Sequence, residues 1–449
     1  MLSQKRDDGD SNDLKINELM KSIQPDTSNC KPSSWVYWIL CLLVGTTLSC
    51  QSQATPDNPS NDSVTLTNQV TISDQLPWSE RMAQSVIKRN PEAWMIDFRD
   101  SPKWNYTHGL VLLSLLEVWD KTDDDQYFSY VKSFADTLID EEGSIRGGYD
   151  IANFNIDHIK PGNILFDLYE ESGDERYLTA MQTLRTQLQW QPRTSEGGFW
   201  HKLRYPWQMW LDGLYMGTPF YTEFAVRFDE PAAFDDIANQ FQIIEKNAKD
   251  ANTGLLYHGW DESRVQQWSN DETGLSQCFW ARAVGWYAMA LVDVLDHYPA
   301  EHPRRQELID NLQRTMEAIA QYQDTDKGLW YQVMDAGNRE GNYLESTASC
   351  MFVYAMAKGV NKGYLPNSYM DLAKKAYDGI LEEFIEVADE GEVLIHKCCA
   401  VAGLGGDPYR SGSYEYYINE EIRSNDPKAT GPFILASLEL EKTGYLSKR

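Results

Sequence analysis

From about Pro77 to the C-terminus, apolar residues recur at three- and four-residue spacings in window after window, the period of amphipathic helices. The pattern predicts about twelve helical segments, over 79–90, 107–119, 126–139, 161–171, 175–189, 213–227, 232–249, 279–296, 303–322, 347–360, 367–386 and 429–441, to within a few residues at each end. No strand signals alternate with them, which argues against a parallel sheet. Five glycine-led pieces punctuate the helices: Gly143-Ser-Ile-Arg146, Gly197-Gly-Phe-Trp-His201, Gly254-Leu-Leu-Tyr-His258, Gly328-Leu-Trp-Tyr-Gln332 and Gly391-Glu-Val-Leu-Ile-His396, at steps of 54, 57, 74 and 63 residues. Each unit reads as a polar helix, an extended aromatic strip and a more apolar helix. Such a unit cannot bury its apolar face alone and must stack on its neighbours. Six helical hairpins closing into a ring, apolar helices inside and amphipathic ones outside, make an all-α (α/α)6 barrel with short extended strips between helices. A ring gathers the starts of its inner helices around one mouth; an open solenoid is the alternative.

The chain before Pro77 is different. Trp35 to Leu48 is an apolar run ending in Thr47-Leu48-Ser49-Cys50, with Lys21 and Lys31 ahead of it. It is too short for a spanning helix and suits an export signal. It is similar to a bacterial lipoprotein signal, whose cysteine becomes the lipid-bearing N-terminus; a start at Met20 would give a shorter leader. Residues 51–76 are rich in Ser, Asn, Asp, Thr and Pro and read as a flexible linker. The expected organisation is a leader over 1–50, a linker over 51–76 and a helical domain over 77–449. The expected location is the periplasm of a bacterium, or a membrane to which Cys50 anchors the chain.

The formal net charge of −28 argues against nucleic acid as a partner, and an anionic substrate would need a local basic pocket within so acidic a field. Fifteen Trp and 25 Tyr are many; such rings serve sugar platforms as well as cores. Cys278, Cys350, Cys398 and Cys399 show no zinc-type spacing and are expected to be buried thiols. There is no His-Glu-x-x-His, EF-hand loop, Gly-x-Ser-x-Gly elbow or phosphate loop, so neither metal nor cofactor is expected.

The densest chemistry lies in Trp207 to Phe220, where a single acid, Asp212, stands among Trp207, Met209, Trp210, Leu211, Leu214, Tyr215 and Met216. Loss of hydration in such surroundings raises a carboxyl pKa, which is how a general acid is made; the alternative is a helix N-cap. The corresponding pieces of other units supply Trp104 to Gly109 with Tyr106, Asn155-Ile-Asp157-His158, His201, His258 with Trp260, Trp280, Arg282 and Trp286, and Glu345 to Ser349. Asp157 could cap the helix after it. Arg282 and Trp286 are i,i+4 and share a helix face; Arg282 then either pairs with a substrate carboxylate or is salt-bridged under aromatic packing. Gly403-Leu-Gly-Gly406 reads as a turn that lets backbone approach the cavity.

Gln208-Met-Trp-Leu-Asp-Gly-Leu-Tyr-Met216, Trp280-Ala-Arg-Ala-Val-Gly-Trp286, the Asn155 to His158 stretch, and Ala402-Gly-Leu-Gly-Gly406 with Gly412-Ser-Tyr-Glu-Tyr-Tyr417 together resemble glycoside hydrolase family 105, the unsaturated rhamnogalacturonyl hydrolases, and more distantly the unsaturated glucuronyl hydrolases of family 88. The resemblance covers about residues 80 to 445. It implies the (α/α)6 barrel, no metal, and a lyase-generated oligosaccharide with a C4=C5 unsaturated uronic acid at its non-reducing end. It implies Asp212 as acid/base, Asp157 as second carboxylate, and Tyr106, His201, Trp210, His258, Trp280, Arg282 and Trp286 around the sugar. Arg410-Ser411-Gly412 departs from the Arg-Asp-Gly expected there, which leaves the neighbouring saccharide open. Two rival readings are a lyase or other sugar-active enzyme on the same ring, and a non-catalytic surface glycan-binding lipoprotein; fold alone does not choose among them.

Overall fold

The computed structural model describes residues 71–445. The leader, Cys50 and most of the linker lie outside the described residues. The chain is already anchored before its first helix: Ile72 is buried, and its N–H donates to the Glu390 carbonyl at 2.8 Å.

Twelve long helices occupy the expected segments. In chain order they are α1 Trp78–Arg89, α2 Tyr106–Thr122, α3 Asp125–Leu138, α4 Ile164–Ser172, α5 Glu175–Trp190, α6 Leu211–Arg227, α7 Ala233–Ala248, α8 Ala281–His297, α9 Arg305–Gln321, α10 Ser346–Asn361 and α11 Ser368–Glu383, then a short α12, Tyr414–Ile418, before α13 Pro427–Glu441. The helices α2, α4, α6, α8, α10 and α13 form an inner ring; α8 is buried from Ala281 through Leu295 and α13 from Pro427 through Leu440. The outer helices bury one stripe only, as α11 does with Met370, Ala373, Ala376, Tyr377, Ile380 and Leu381. The protein is therefore an (α/α)6 barrel.

Five hairpins run from an inner helix to the outer helix that follows it. The sixth pairs the two ends of the described chain: α13 packs against α1, and Ser79 Oγ donates to Glu441 at 2.7 Å while Lys121 Nζ lies 2.7 Å from the same carboxylate. Closure thus depends on residues more than 350 apart in sequence. Between α2 and α6 the ring is completed by a 3-10 turn, Lys160–Asn163, where a helix was expected from 161. Pro161 lacks a donor and its ring disfavours the helical conformation in the residue before it, so α4 starts only at Ile164.

Each outer helix returns to the mouth through one of the glycine-led strips. Gly143, Gly197, Gly254, Gly328 and Gly391 all have left-handed φ, from 73° to 97°, a conformation glycine adopts without steric cost. Three two-stranded antiparallel ribbons occur among the described residues: β1 Gln208–Trp210 with β2 Gly259–Asp261, β3 Ile385–Val387 with β4 Val393–Ile395, and β5 Cys398–Cys399 with β6 Ile422–Arg423. Cys350, Cys398 and Cys399 are buried free thiols and Cys278 is half-buried.

Glu345 joins strip to helix at the inner end of this layer. It is fully buried and caps α10: Oε2 accepts from the Thr347 hydroxyl and the Ala348 N–H at 2.7 and 2.8 Å, and Oε1 accepts from the Cys399 N–H at 2.9 Å. Glu345→Ala removes three acceptor contacts at once and should cost about 3 kcal/mol, whereas Glu345→Gln, which keeps an acceptor, should cost less. Guanidinium denaturation of both variants checks this; a loss for Glu345→Ala below about 0.5 kcal/mol, the range of ordinary surface changes, would contradict the assigned clamp.

Candidate active site

Backbone hydrogen bonds between successive strips build the mouth. Ile156 N–H donates to the His201 carbonyl at 3.2 Å, His201 N–H to the Gln208 carbonyl at 2.8 Å and Leu211 N–H to the His258 carbonyl at 3.0 Å, with Trp210 opposite Gly259 in the β1–β2 ribbon. Asp157, His201, Asp212 and His258 are thereby held on adjoining backbone.

Asp212 is not a helix cap. Trp210 occupies the N-cap position of α6, and Asp212 lies in the first turn, where the helix dipole favours an ionised carboxylate. Its Oδ2 lies 3.1 Å from Nε2 of fully buried His258. The contact is close but poorly aligned for hydrogen bonding, since both atoms are buried without a partner of good geometry. His258 Nδ1 lies 2.7 Å from the Tyr417 hydroxyl. Burial alone would raise the Asp212 carboxyl, but the imidazoles of His258 and His201 outweigh it and hold the carboxyl below its ordinary value. The raised pKa expected from the apolar sequence context is thus corrected: the neighbours in the fold that decide it come from other strips. Gly213 gives His201 room, because a Cβ there would stand 3.2 Å from His201 Nδ1.

Asp157 is a different carboxylate. The cap in its turn is Asn155, whose Oδ1 accepts from the Asp157 N–H at 3.2 Å, so Asp157 is free of that duty. Its Oδ2 accepts from Lys202 Nζ at 2.5 Å, and its Oδ1 lies 3.4 Å from His201 Nε2. Burial would push the carboxyl up; the Lys202 ammonium overrides burial and, with His201, holds it at about 2. Asp157 is ionised, as expected, but Lys202 neutralises it. The influence on Asp212 comes from imidazoles rather than from like-charge repulsion with Asp157. Burial first, then Lys202, pushes His201 down to about 4, against the pull of Asp157.

The aromatic residues divide. The Trp210 ring is stacked between His201 at 4.4 Å and Tyr205 at 5.0 Å, and its Nε1 donates to Gln208 Oε1 at 3.1 Å. Trp280 is buried; Nε1 donates to Gln332 Oε1 at 3.1 Å and the ring stacks on Tyr417 at 5.6 Å. Trp286 is buried, stacked on Tyr215 at 4.9 Å and edge-on to half-buried Tyr106 at 6.2 Å. Neither Trp280 nor Trp286 turns an open face to solvent; they back the residues that line the mouth. The exposed indole nearby is Trp207, 4.9 Å from Trp200.

Arg282, 1 % exposed, makes no ion pair among the described residues. One Nη donates to the Cys399 carbonyl, the guanidinium lies over the Trp280 ring at 4.6 Å, and Nε is buried without a partner. The salt-bridged alternative is therefore absent from this site. Tyr106 links the two sides, since its phenol, raised chiefly by burial, also feels Arg282 and Asp157. The Gly403–Gly406 turn wraps Arg410, which donates from Nε to the Gly405 carbonyl at 2.8 Å and from Nη2 to the Tyr205 hydroxyl at 2.8 Å.

Sequence reasoning missed Lys202 and the His258 contact of Tyr417. Lys202 follows His201, and in an extended strip neighbouring side chains diverge; a turn bridging Lys202 and Tyr205 brings both onto Asp157. No grouping able to hold a metal ion occurs among the described residues, nor any helix long and apolar enough to cross a membrane.

The sequence model described as Glycosyl Hydrolase Family 88 matches residues 78–444. The chain belongs to glycosyl hydrolase family 88. It is a glycosidase, and a glycoside hydrolase from family 105 of C. acetobutylicum is similar to it, with 47 % identity, coverage of 82 % of this chain and 100 % of that one, and a TM-score of 0.79. A protein of Agrobacterium fabrum is 38 % identical over 50 % of this chain and 97 % of its own length. The unsaturated rhamnogalacturonyl hydrolase YesR of Bacillus subtilis is 27 % identical over 69 % of this chain and 84 % of its own length. Asp157, His201, Asp212 and His258 lie within the stretch assigned to family 88.

Because the folded Asp157 carboxyl sits below its ordinary value, its pairing stabilises the fold fully above the ordinary carboxylate pKa and is lost as pH falls towards about 2. Lys202→Met strands a buried carboxylate and should cost about 3 kcal/mol near pH 7. The gap from wild type should close as pH falls from about 4 towards the Asp157 value. Denaturation at several pH values checks this; a gap independent of pH would assign Lys202 to packing.

Proposed function

We propose that this glycosidase removes a C4=C5 unsaturated uronic acid from the non-reducing end of lyase-generated oligosaccharides, with rhamnogalacturonan or pectin fragments as substrates. What carries the reading is Arg282, a buried guanidinium with no carboxylate partner among the described residues in the same mouth as the Asp212–His258 pair. Glu345 and Asp426 favour the charged guanidinium without contacting it, and a planar uronate carboxylate is a natural bidentate partner for such a group. The name of the B. subtilis relative, an unsaturated rhamnogalacturonyl hydrolase, supports the same class, and that of the C. acetobutylicum relative supports a glycoside hydrolase.

The unsaturated sugar is an enol ether. Asp212, protonated in the substrate complex, gives its proton to C4, and positive charge develops at C5 and the ring oxygen. Water adds to C5 and returns a proton to Asp212. The resulting hemiketal opens by breaking the bond from C5 to the ring oxygen, which leaves a ketone at C5 and a hemiacetal at C1. The hemiacetal collapses to the aldehyde and releases the remaining saccharide. No glycosyl-enzyme forms, so the carboxylate-separation rule of ordinary glycosidases does not apply.

His258 and His201 hold the Asp212 carboxyl below its ordinary value. An arriving uronate adds negative charge and excludes water, and both raise the carboxyl. Asp157, kept ionised by Lys202, accepts hydrogen bonds from sugar hydroxyls. Tyr106, His201, Trp210 and His258 complete the wall around the sugar, with Trp280 and Trp286 behind them. Reading residues 35–50 as a lipoprotein-type signal, the enzyme works outside the cytoplasm, anchored through Cys50.

Incubation with lyase-digested rhamnogalacturonan, homogalacturonan and glycosaminoglycan in parallel tests the reading. The absorbance of the unsaturated uronate should fall, fastest with rhamnogalacturonan fragments, and a chelator should leave the rate unchanged. A rise in that absorbance on intact polysaccharide would make the protein a lyase, and no change with any substrate would favour a binding protein.

A further inference from the structure

A cleft of about 500 Å³ opens beside Asp157, lined by Lys103, His158, Lys202 and Arg204 together with Asn153 and Asn155. No acidic side chain lines it, in a protein whose formal net charge is −28. Lys202 is shared with the site through Asp157. Lys103 and Arg204 are exposed and make no ion pair among the described residues; Arg204 lies 4.9 Å from the centre of the Tyr205 ring. The His158 ring is mostly buried, feels Asp157 as well as the three cations, and its Nδ1 has no hydrogen-bond partner. Gly148, also on the wall, has open space where a side chain would be.

A basic cluster two of whose members are unpaired is, in a strongly acidic protein, a local attractor for anions, because the surrounding field would otherwise repel them. Arg282 is enclosed, whereas Lys103 and Arg204 are exposed at the edge of the cleft. We propose that this cleft is a subsite for an anionic substituent, a carboxylate or a sulfate ester, on a sugar beyond the scissile bond, with Lys103 and Arg204 binding the charge and Asn153 and Asn155 the hydroxyls. The placement beyond the scissile bond rests on the function proposed above; the anion-binding character does not.

The double variant Lys103→Gln with Arg204→Gln leaves the Asp157–Lys202 pair in place. Three unsaturated substrates are compared: a disaccharide with a neutral second sugar, the same with a sulfate ester on that sugar, and a tetrasaccharide with a second uronate. In the double variant KM should rise about three- to tenfold for the anionic substrates, as befits two partly exposed charge contacts, and stay unchanged for the neutral one. The wild-type preference for anionic substrates should shrink as salt is raised. A shift confined to the sulfated disaccharide or to the tetrasaccharide identifies the group bound. Equal KM changes for all three substrates, or none, would overturn the proposal. If the wild type turns over none of them, the hydrolase reading fails, and calorimetry with saturated oligogalacturonate and with inorganic sulfate decides the cleft alone. Binding lost in the double variant sustains an anion site, and binding that is absent or unaltered overturns it.

Discussion

The backbone bond from Leu211 N–H to the His258 carbonyl, with its counterparts from Ile156 to His201 and from His201 to Gln208, is the constraint on which the site depends. It ties strips from successive repeats edge to edge where the inner helices begin. Asp212 and His258 come from different repeats, yet their side chains are held at 3.1 Å because the backbone under them is paired. The inner helices supply a rigid floor, and the strips supply the chemistry.

That constraint also separates two carboxylates that sequence alone makes look alike. Both are buried, and burial raises both. Asp157 is given an ammonium at 2.5 Å and stays charged. Asp212 is given an imidazole that in turn contacts the Tyr417 hydroxyl. Asp157 is locked by a direct ammonium contact, whereas the Asp212–His258 contact is poorly aligned, so Asp212 is the carboxylate whose state a substrate charge can change. Environments that differ in this way set acid and base roles apart.

Periodicity made the twelve long helices legible, because an apolar face repeats every three or four residues wherever a helix packs. The glycine-led strips were legible because a left-handed turn has to recur at each. Closure was not, since α13 meets α1 through contacts such as Ser79 with Glu441, which no local pattern encodes. In the site, Asp212, Asp157, His201 and His258 were singled out by residue type and repeat position. The Asp212 pKa was misjudged because its neighbours in sequence are apolar, while His258 and His201 arrive from other strips. Lys202 was hidden by a turn that puts it on the same side as His201. Trp280 and Trp286, which the resemblance places around the sugar, have rings buried against Tyr417 and Tyr215.

The central claim is that Asp212 carries the proton. Asp212→Asn keeps the shape of the side chain, and Trp210 holds the N-cap position, so the variant should fold, with a Tm lowered by the loss of a carboxylate that the fold holds below its ordinary value. The decisive measurement is kcat/KM on an unsaturated rhamnogalacturonan disaccharide for wild type and folded Asp212→Asn across pH. The account predicts a loss of about 10²–10⁴-fold at every pH, with the wild-type pH dependence abolished. Near-wild-type turnover in the folded variant would contradict it.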